Sequence, residues 1–249
     1  MALIIGGHLR SGTTLLTALC HEHPDITLVW EFGLFVPLGK PYHAYTRHLL
    51  ERWRRKRNWP LKKHLFMLRY LLQMHKYRHR KVIDLPAVEG TLLSMFPDTR
   101  IVGDKYPGYA FILDRLVEAD GLSRLIIYRD YRNVANSVLK KVHTDWRNRP
   151  FATEMNTAGK IAKRWVQAIS IMERHADKVH LIRYEELVNH PKEVLQVLGT
   201  WLGVEPQGFK HEKIHANSVG QYKQGLSHQE VADIMAIAGP TMERLGYEI

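Results

Sequence analysis

Gly7-His8-Leu9-Arg10-Ser11-Gly12-Thr13-Thr14 has the residue types and spacing to hold an anion. It follows the apolar run Ala2 to Ile5 and leads into the helical pattern Leu15, Leu16, Ala18, Leu19. A buried strand that enters a glycine-containing turn and then a helix aims backbone N–H groups and the positive helix end at one point. Phosphate is the ligand such a turn cradles. The spacing Gly7 to Gly12, followed by two residues, is that of nucleotide kinases and ATPases, which place Lys and then Ser or Thr there. Thr13 stands at the lysine position. The loop keeps the cradle, lacks the usual cation for a triphosphate tail, and offers Arg10 as its fixed charge.

A second strand-to-helix junction lies at Leu125-Ile126-Ile127-Tyr128-Arg129-Asp130-Tyr131, with Ser137 two helical turns further on. Arg129 falls at the C-terminal edge of its strand, where open α/β sheets bind ligands. An Arg fork beside a hydroxyl suits a terminal phosphate. A third junction, Gly103-Asp104-Lys105-Tyr106-Pro107, sets a lysine at another strand edge. A fourth pairs His23-Pro24-Asp25 with Glu31 at the end of the next strand. Fixed charge in a dry site is commonly the largest catalytic contribution. A carboxylate within hydrogen-bond reach of a hydroxyl can take its proton.

Together these segments resemble the sulfotransferases that use 3′-phosphoadenosine-5′-phosphosulfate (PAPS). Arg10-Ser11-Gly12-Thr13-Thr14-Leu15 is similar to their 5′-phosphosulfate loop. Arg129-Asp130-Tyr131-Arg132 with Ser137 is similar to their 3′-phosphate motif, Tyr131 replacing the usual proline. Lys141 stands where some members place another cation. Gly103-Asp104-Lys105-Tyr106-Pro107 resembles the G-D-K-x-P element of bacterial and protein-tyrosine sulfotransferases. The resemblance implies that Glu31 is the base toward the acceptor and that Lys105 stabilises the leaving side; His8, inside the loop, is the rival base. It further implies that Tyr184, in Arg183-Tyr184-Glu185-Glu186-Leu187, contacts the adenine, with a core tyrosine as the alternative. Ser218 and, more weakly, Lys223 belong to a late loop that returns to the nucleotide. The implied reaction moves the sulfuryl group of PAPS to an acceptor hydroxyl or amine and releases PAP, with no metal required. The donor is already activated, and the loop lacks the lysine that accompanies metal-bridged phosphates.

The elements that must position these residues alternate. Strands are expected at 26–30, 100–103, 122–128 and 179–184, after the one at the start. Helices are expected at 13–22, 43–57, 61–80, 86–96, 109–119, 131–142, 153–176 and 191–202, the last closed by Gly203. This alternation predicts an α/β three-layer sandwich, a central parallel sheet flanked by helices, and the resemblance makes it a P-loop-like sulfotransferase fold. One domain spans residues 1–249, with a basic helical insertion at about 42–81. Along 61–80, Leu61, Leu65, Leu68 and Leu72 keep one stripe, with Phe66 and Tyr70 beside it.

The 249 residues carry 36 Lys and Arg against 25 Asp and Glu, a net charge of +11. Between Arg47 and Lys81 there are thirteen Lys or Arg and one acid, Glu51, so the rest of the chain is nearly neutral. Such a local cluster points to an anionic or carrier-bound acceptor, or to peripheral contact with an anionic surface. A nucleic-acid-binding module is a weaker alternative, resting on Trp53, Trp59, Tyr70 and Tyr77 among the arginines. A small-molecule kinase with a degenerate loop is the other rival. The missing loop lysine disfavours it, as does Arg129 where an acidic strand end would hold a metal. The single cysteine, Cys20, excludes an internal disulfide framework and reads as a small buried hydrophobe. No secretory pattern or membrane-length apolar run is visible, so a cytoplasmic protein is expected.

Overall fold

The computed structural model describes residues 1–149, 151–212, 214–216 and 218–249. Strand β1 (Ala2–Gly7) is buried along its whole length. Such a strand must be covered on both faces, and its alternate side chains do face opposite cores. Ala2 and Ile4 join one cluster, Leu3 and Ile5 another. Helix α1 (Thr13–Glu22) and β2 (Ile26–Trp30) follow. Then come α2 (Tyr42–Arg54), α3 (Leu61–Met74), α4 (Leu85–Met95) and β3 (Ile101–Lys105). After a tight turn over Pro107–Ile112 and the short α5 (Leu113–Leu116), β4 (Leu122–Tyr128) leads into α6 (Tyr131–His143) and α7 (Ala158–Arg174). β5 (His180–Arg183), α8 (Tyr184–Asn189), α9 (Pro191–Leu202), the short α10 (Tyr222–Gly225) and α11 (His228–Arg244) complete the order.

The five strands are parallel, in the order β2-β3-β1-β4-β5. Leu3, Ile5, Leu125 and Ile127 face α1, α8 and α9. The opposite face is covered in two parts, by α2, α3 and α4 toward β2 and β3, and by α6, α7 and α11 toward β4. This is the expected three-layer α/β sandwich. The strand order also sets the C-terminal edge of the sheet. From β2 to β5 the residues beyond or at the strand ends run Glu31, Lys105, the Gly7–Gly12 turn, Arg129 and Tyr184. The order reverses between β1 and β4, the switch point where such sheets hold ligands.

Some elements differ from expectation. The stretch 109–119 is a tight turn and one helical turn instead of a helix. Ala110 and Tyr109 press against Gly6, and the Tyr109 hydroxyl is held by Asp104, so tertiary contact overrides propensity. Helix α7 begins at Ala158, where Thr157 accepts the Lys160 N–H at 3.3 Å. The terminal helix α11 is additional, started by a reciprocal cap between Ser227 and Glu230. Helix α3 buries Met67, Tyr70 and Met74, while the leucine stripe faces solvent. Among the described residues, no helix is long and apolar enough to cross a membrane.

Candidate active site

The turn after β1 is built as an anion cradle. Gly12 precedes α1 in a left-handed conformation, φ 100°, and a Cβ there would strike the Tyr184 ring. Neither a side-chain cap nor a first-turn acid occupies the start of α1. The free N–H groups and the positive helix end therefore face the cavity without internal competition. Ser11 is fully buried and its Oγ has no partner. Arg10 also has a left-handed backbone, φ 67°, which turns its side chain back so that Nε donates to Ser137 Oγ at 2.9 Å.

Beside the cradle lies a cavity of about 280 Å³, near the lower end for small-ligand sites. Arg10, Thr13, Thr14 and Leu15 line it from the turn, and Arg129, Ser137, Tyr184 and Ser218 from the neighbouring elements. Arg129 is almost fully buried. Its guanidinium stacks on Tyr184, 4.2 Å from the ring centre, and donates to the Ser218 and Arg10 carbonyls. Its Nε is buried without a partner. The adjacent Asp130 makes its hydrogen bonds elsewhere. Asp130 caps α6, accepting the Arg132 N–H at 2.8 Å, and binds the Arg132 guanidinium. Tyr184 and Ser218 share a hydroxyl–hydroxyl bond of 2.6 Å.

Lys105 and Glu31 form the other end of the row. Lys105 is 1 % exposed and donates to Glu31 Oε1 at 2.7 Å, while the Glu31 side chain is half exposed. Partial burial pushes the Glu31 carboxyl upward. The Lys105 charge and hydrogen bond, with Lys63 and Lys56 beyond, outweigh that and hold it below its ordinary pKa. Glu31 is the second non-glycine residue with a left-handed backbone, φ 68°; Arg10 is the other among the described residues. Such conformations cost about 1–3 kcal/mol and cluster at functional sites. Asp104 fixes the Glu31 turn. Its buried carboxylate accepts the N–H groups of Phe32, Gly33 and Leu34 at 3.2, 2.6 and 3.0 Å, and the Tyr109 hydroxyl at 2.6 Å. Lys63 adds a bond to the Trp30 carbonyl at 2.8 Å and Arg52 one to the Phe32 carbonyl at 3.0 Å.

The structure thus brings Arg10, Gly12, Thr13, Thr14, Leu15, Arg129, Ser137, Tyr184 and Ser218 around one cavity, with Ser11 beneath the turn. Lys141 is elsewhere, paired with Asp145. Lys140 lines the cavity instead, on one face of α6 with Asn133, Asn136 and Ser137, and Lys141 is turned roughly 100° from it. Lys223, on α10, is exposed and does not line the cavity. His8 is buried against Phe111 and bonded to the Leu9 carbonyl at 3.0 Å. Burial pushes its pKa down to about 4, with the Leu9 bond opposing and the Arg164 charge assisting. Asp104, Asn133, Asn136 and Lys140 were not among the candidates. The i, i+3, i+7 spacing of Asn133, Asn136 and Lys140 is the signal that finds them. Asn136 donates to the Gln221 carbonyl at 3.1 Å and ties the late loop to α6.

Comparison with known proteins agrees with this fold. The sulfotransferase domain of a Synechococcus olefin synthase superposes with a TM-score of 0.62 at 17 % identity, over 100 % of this chain and 95 % of that one. A mouse sulfotransferase complexed with PAP superposes with a TM-score of 0.55 at 13 % identity, over 97 % and 84 %. The sulfotransferase domain of the curacin biosynthetic pathway gives 0.58 at 17 % identity, over 100 % and 98 %. At these identities the likeness is one of fold. No curated protein matches the sequence significantly. The profile of the sulfotransferase family matches residues 2–208, from β1 through the turn, the Lys105 strand and the Arg129 junction, and on that match the chain belongs to the sulfotransferase family.

Proposed function

We propose that the protein transfers the sulfuryl group of PAPS to an acceptor hydroxyl or amine. The observation that carries this reading is the row along the sheet edge. An uncapped helix start, Arg10 and the partner-free donor of Arg129 lie on one side, and the Lys105–Glu31 pair on the other. At about 4.8 Å per strand, three intervals separate Glu31 from Arg129 by about 14 Å. That span suits a nucleotide lying along the edge with its phosphosulfate over β1.

In this scheme the N–H groups of Ser11 to Thr14 and Arg10 hold the 5′-phosphosulfate. Arg129 and Ser137 hold the 3′-phosphate, and Tyr184 lies toward the base. The acceptor oxygen attacks sulfur, its proton goes to Glu31, and the S–O bond to the 5′-phosphate breaks to leave PAP. Lys105 keeps Glu31 ionised at neutral pH, at a cost in its basicity. The ammonium has three N–H donors, of which one goes to Glu31, so its charge also opposes the negative charge that develops on the leaving oxygen.

Calorimetry with PAP and ATP, each with and without magnesium, tests the donor. PAP should bind more tightly than ATP and independently of magnesium, because Thr13 replaces the lysine of triphosphate sites. Tight magnesium-dependent ATP binding, with none for PAP, refutes the assignment in favour of a kinase.

A further inference from the structure

Helix α3 is apolar on two opposite sides. Met67, Tyr70 and Met74 enter the core. Leu61, Leu65, Leu68 and Leu72 face solvent, 71, 55, 49 and 68 % exposed. At roughly 100° per residue the four fall in a sector about 60° wide, opposite the buried face. Single exposed leucines are ordinary, but four along one ridge are not. Lys62, Arg69 and Lys76 flank the ridge and are exposed. On α2, Leu50 is likewise exposed, with exposed Arg47 and Arg54 a turn away on either side. The Trp53 indole donates to His64 Nδ1 at 2.7 Å, which fixes α2 to α3.

We propose that this ridge docks the protein on an anionic lipid bilayer, its leucines entering the interface and the surrounding Lys and Arg meeting the headgroups. Charge selects this occupant. The thirteen basic residues between Arg47 and Lys81, against Glu51 alone, repel a second copy of the same face and attract a negative surface. Shape agrees with charge. A convex ridge enters a deformable apolar layer without a matching groove. Long basic side chains can lie along that layer while keeping their charges at the headgroups. The same hairpin holds the Glu31 turn through Lys63 and Arg52, so the docked protein carries its acceptor side at a fixed height above the membrane.

Flotation of the full chain with phosphatidylcholine vesicles, with and without phosphatidylserine, tests the proposal. Binding should require phosphatidylserine and weaken steeply as salt rises within the screening range. Replacing Leu65→Ser and Leu68→Ser together should weaken vesicle binding by at least about tenfold, from the apolar surface withdrawn. The thermal midpoint should hold, because neither side chain enters the core. Absence of flotation with phosphatidylserine at low salt overturns the proposal, as does equal flotation of the double variant. A concentration-dependent dimer in sedimentation equilibrium that the same variant dissolves assigns the ridge to a second copy and overturns it too.

Discussion

Replacing Arg129 with alanine tests how the cavity recognises its ligand. A guanidinium has five N–H groups. In Arg129 one on Nη2 goes to the Ser218 carbonyl, one on Nη1 makes a long 3.4 Å bond to the Arg10 carbonyl, and Nε is without a partner. Two charge-assisted bonds to a 3′-phosphate contribute about 1.5–3 kcal/mol each. Exchanging the Ser218 bond offsets about 1 kcal/mol of this. The remainder, roughly 2–5 kcal/mol, is a loss of about 30- to 3,000-fold in affinity. Calorimetry with PAP should show that loss for Arg129→Ala. Adenosine 5′-phosphosulfate, which has no 3′-phosphate, should bind nearly as before. Arg129→Lys should fall between, since a lysine keeps the charge without the planar fork. Equal losses for the two nucleotides would show that Arg129 acts by stacking on Tyr184 and holding Ser218, and would refute its role as the 3′-phosphate receptor.

Four further outcomes follow from the geometry. Glu31→Gln should lower turnover about 10²- to 10⁴-fold with PAP affinity intact. Wild-type turnover in Glu31→Gln removes it as the base. Glu31→Gly should be more stable than Glu31→Ala by about 1 kcal/mol in urea unfolding, because glycine adopts the left-handed backbone freely. The His8 pKa is about 4 folded against 6.5 unfolded, so the unfolded chain binds more protons between those values. Stability from this group is complete above pH 6.5, falls as pH falls and is lost by about 4, a total of about 3 kcal/mol. His8→Gln should therefore show a shallower stability loss than wild type from pH 7 to 5, and parallel curves would disprove the buried neutral imidazole. A Cβ at Gly103 would overlap the Leu3 carbonyl oxygen, so Gly103→Ala should separate β1 from β3 and lower the thermal midpoint more than Gly39→Ala, which strains a left-handed backbone, φ 83°, but meets nothing within 4 Å.

The residues that meet around the cavity were legible because their signals are local. A strand, a glycine turn and a helix start are contiguous in Gly7 to Thr14, and Arg129 and Ser137 lie two helical turns apart. Parallel strands bring every strand end to one edge, but it is the pairing of β2 with β3 that sets Glu31 beside Lys105. The rest needed tertiary facts. Asp104 holds a turn 70–72 residues away, and no local pattern encodes that. The choice of Lys140 over Lys141 depends on the helix phase set by the Asp130 cap. Arg10 and Glu31 carry left-handed backbones without glycine to announce them. Periodicity revealed the leucine stripe on α3. It did not say which of two apolar faces is inside, and the inner one proved to be Met67, Tyr70 and Met74.

The strand order divides the enzyme into two arms with separate inheritance. β2 and β3 carry Glu31 and Lys105, and the segment joining them, with α2, α3 and α4, packs into a cluster around Phe32, Tyr45 and Tyr70. Arg129 and Ser137 stand on β4 and α6, whose cluster with α7 and α11 shares none of those side chains. Substitutions in the two arms that lie away from the shared strand β1 should add in free energy. Helices α2 to α4 are therefore free to be remodelled one residue at a time while the grip on the nucleotide is kept. On the proposed reading, substitutions in α2 to α4 change the acceptor side while Arg129 and Ser137 keep their places on the other arm.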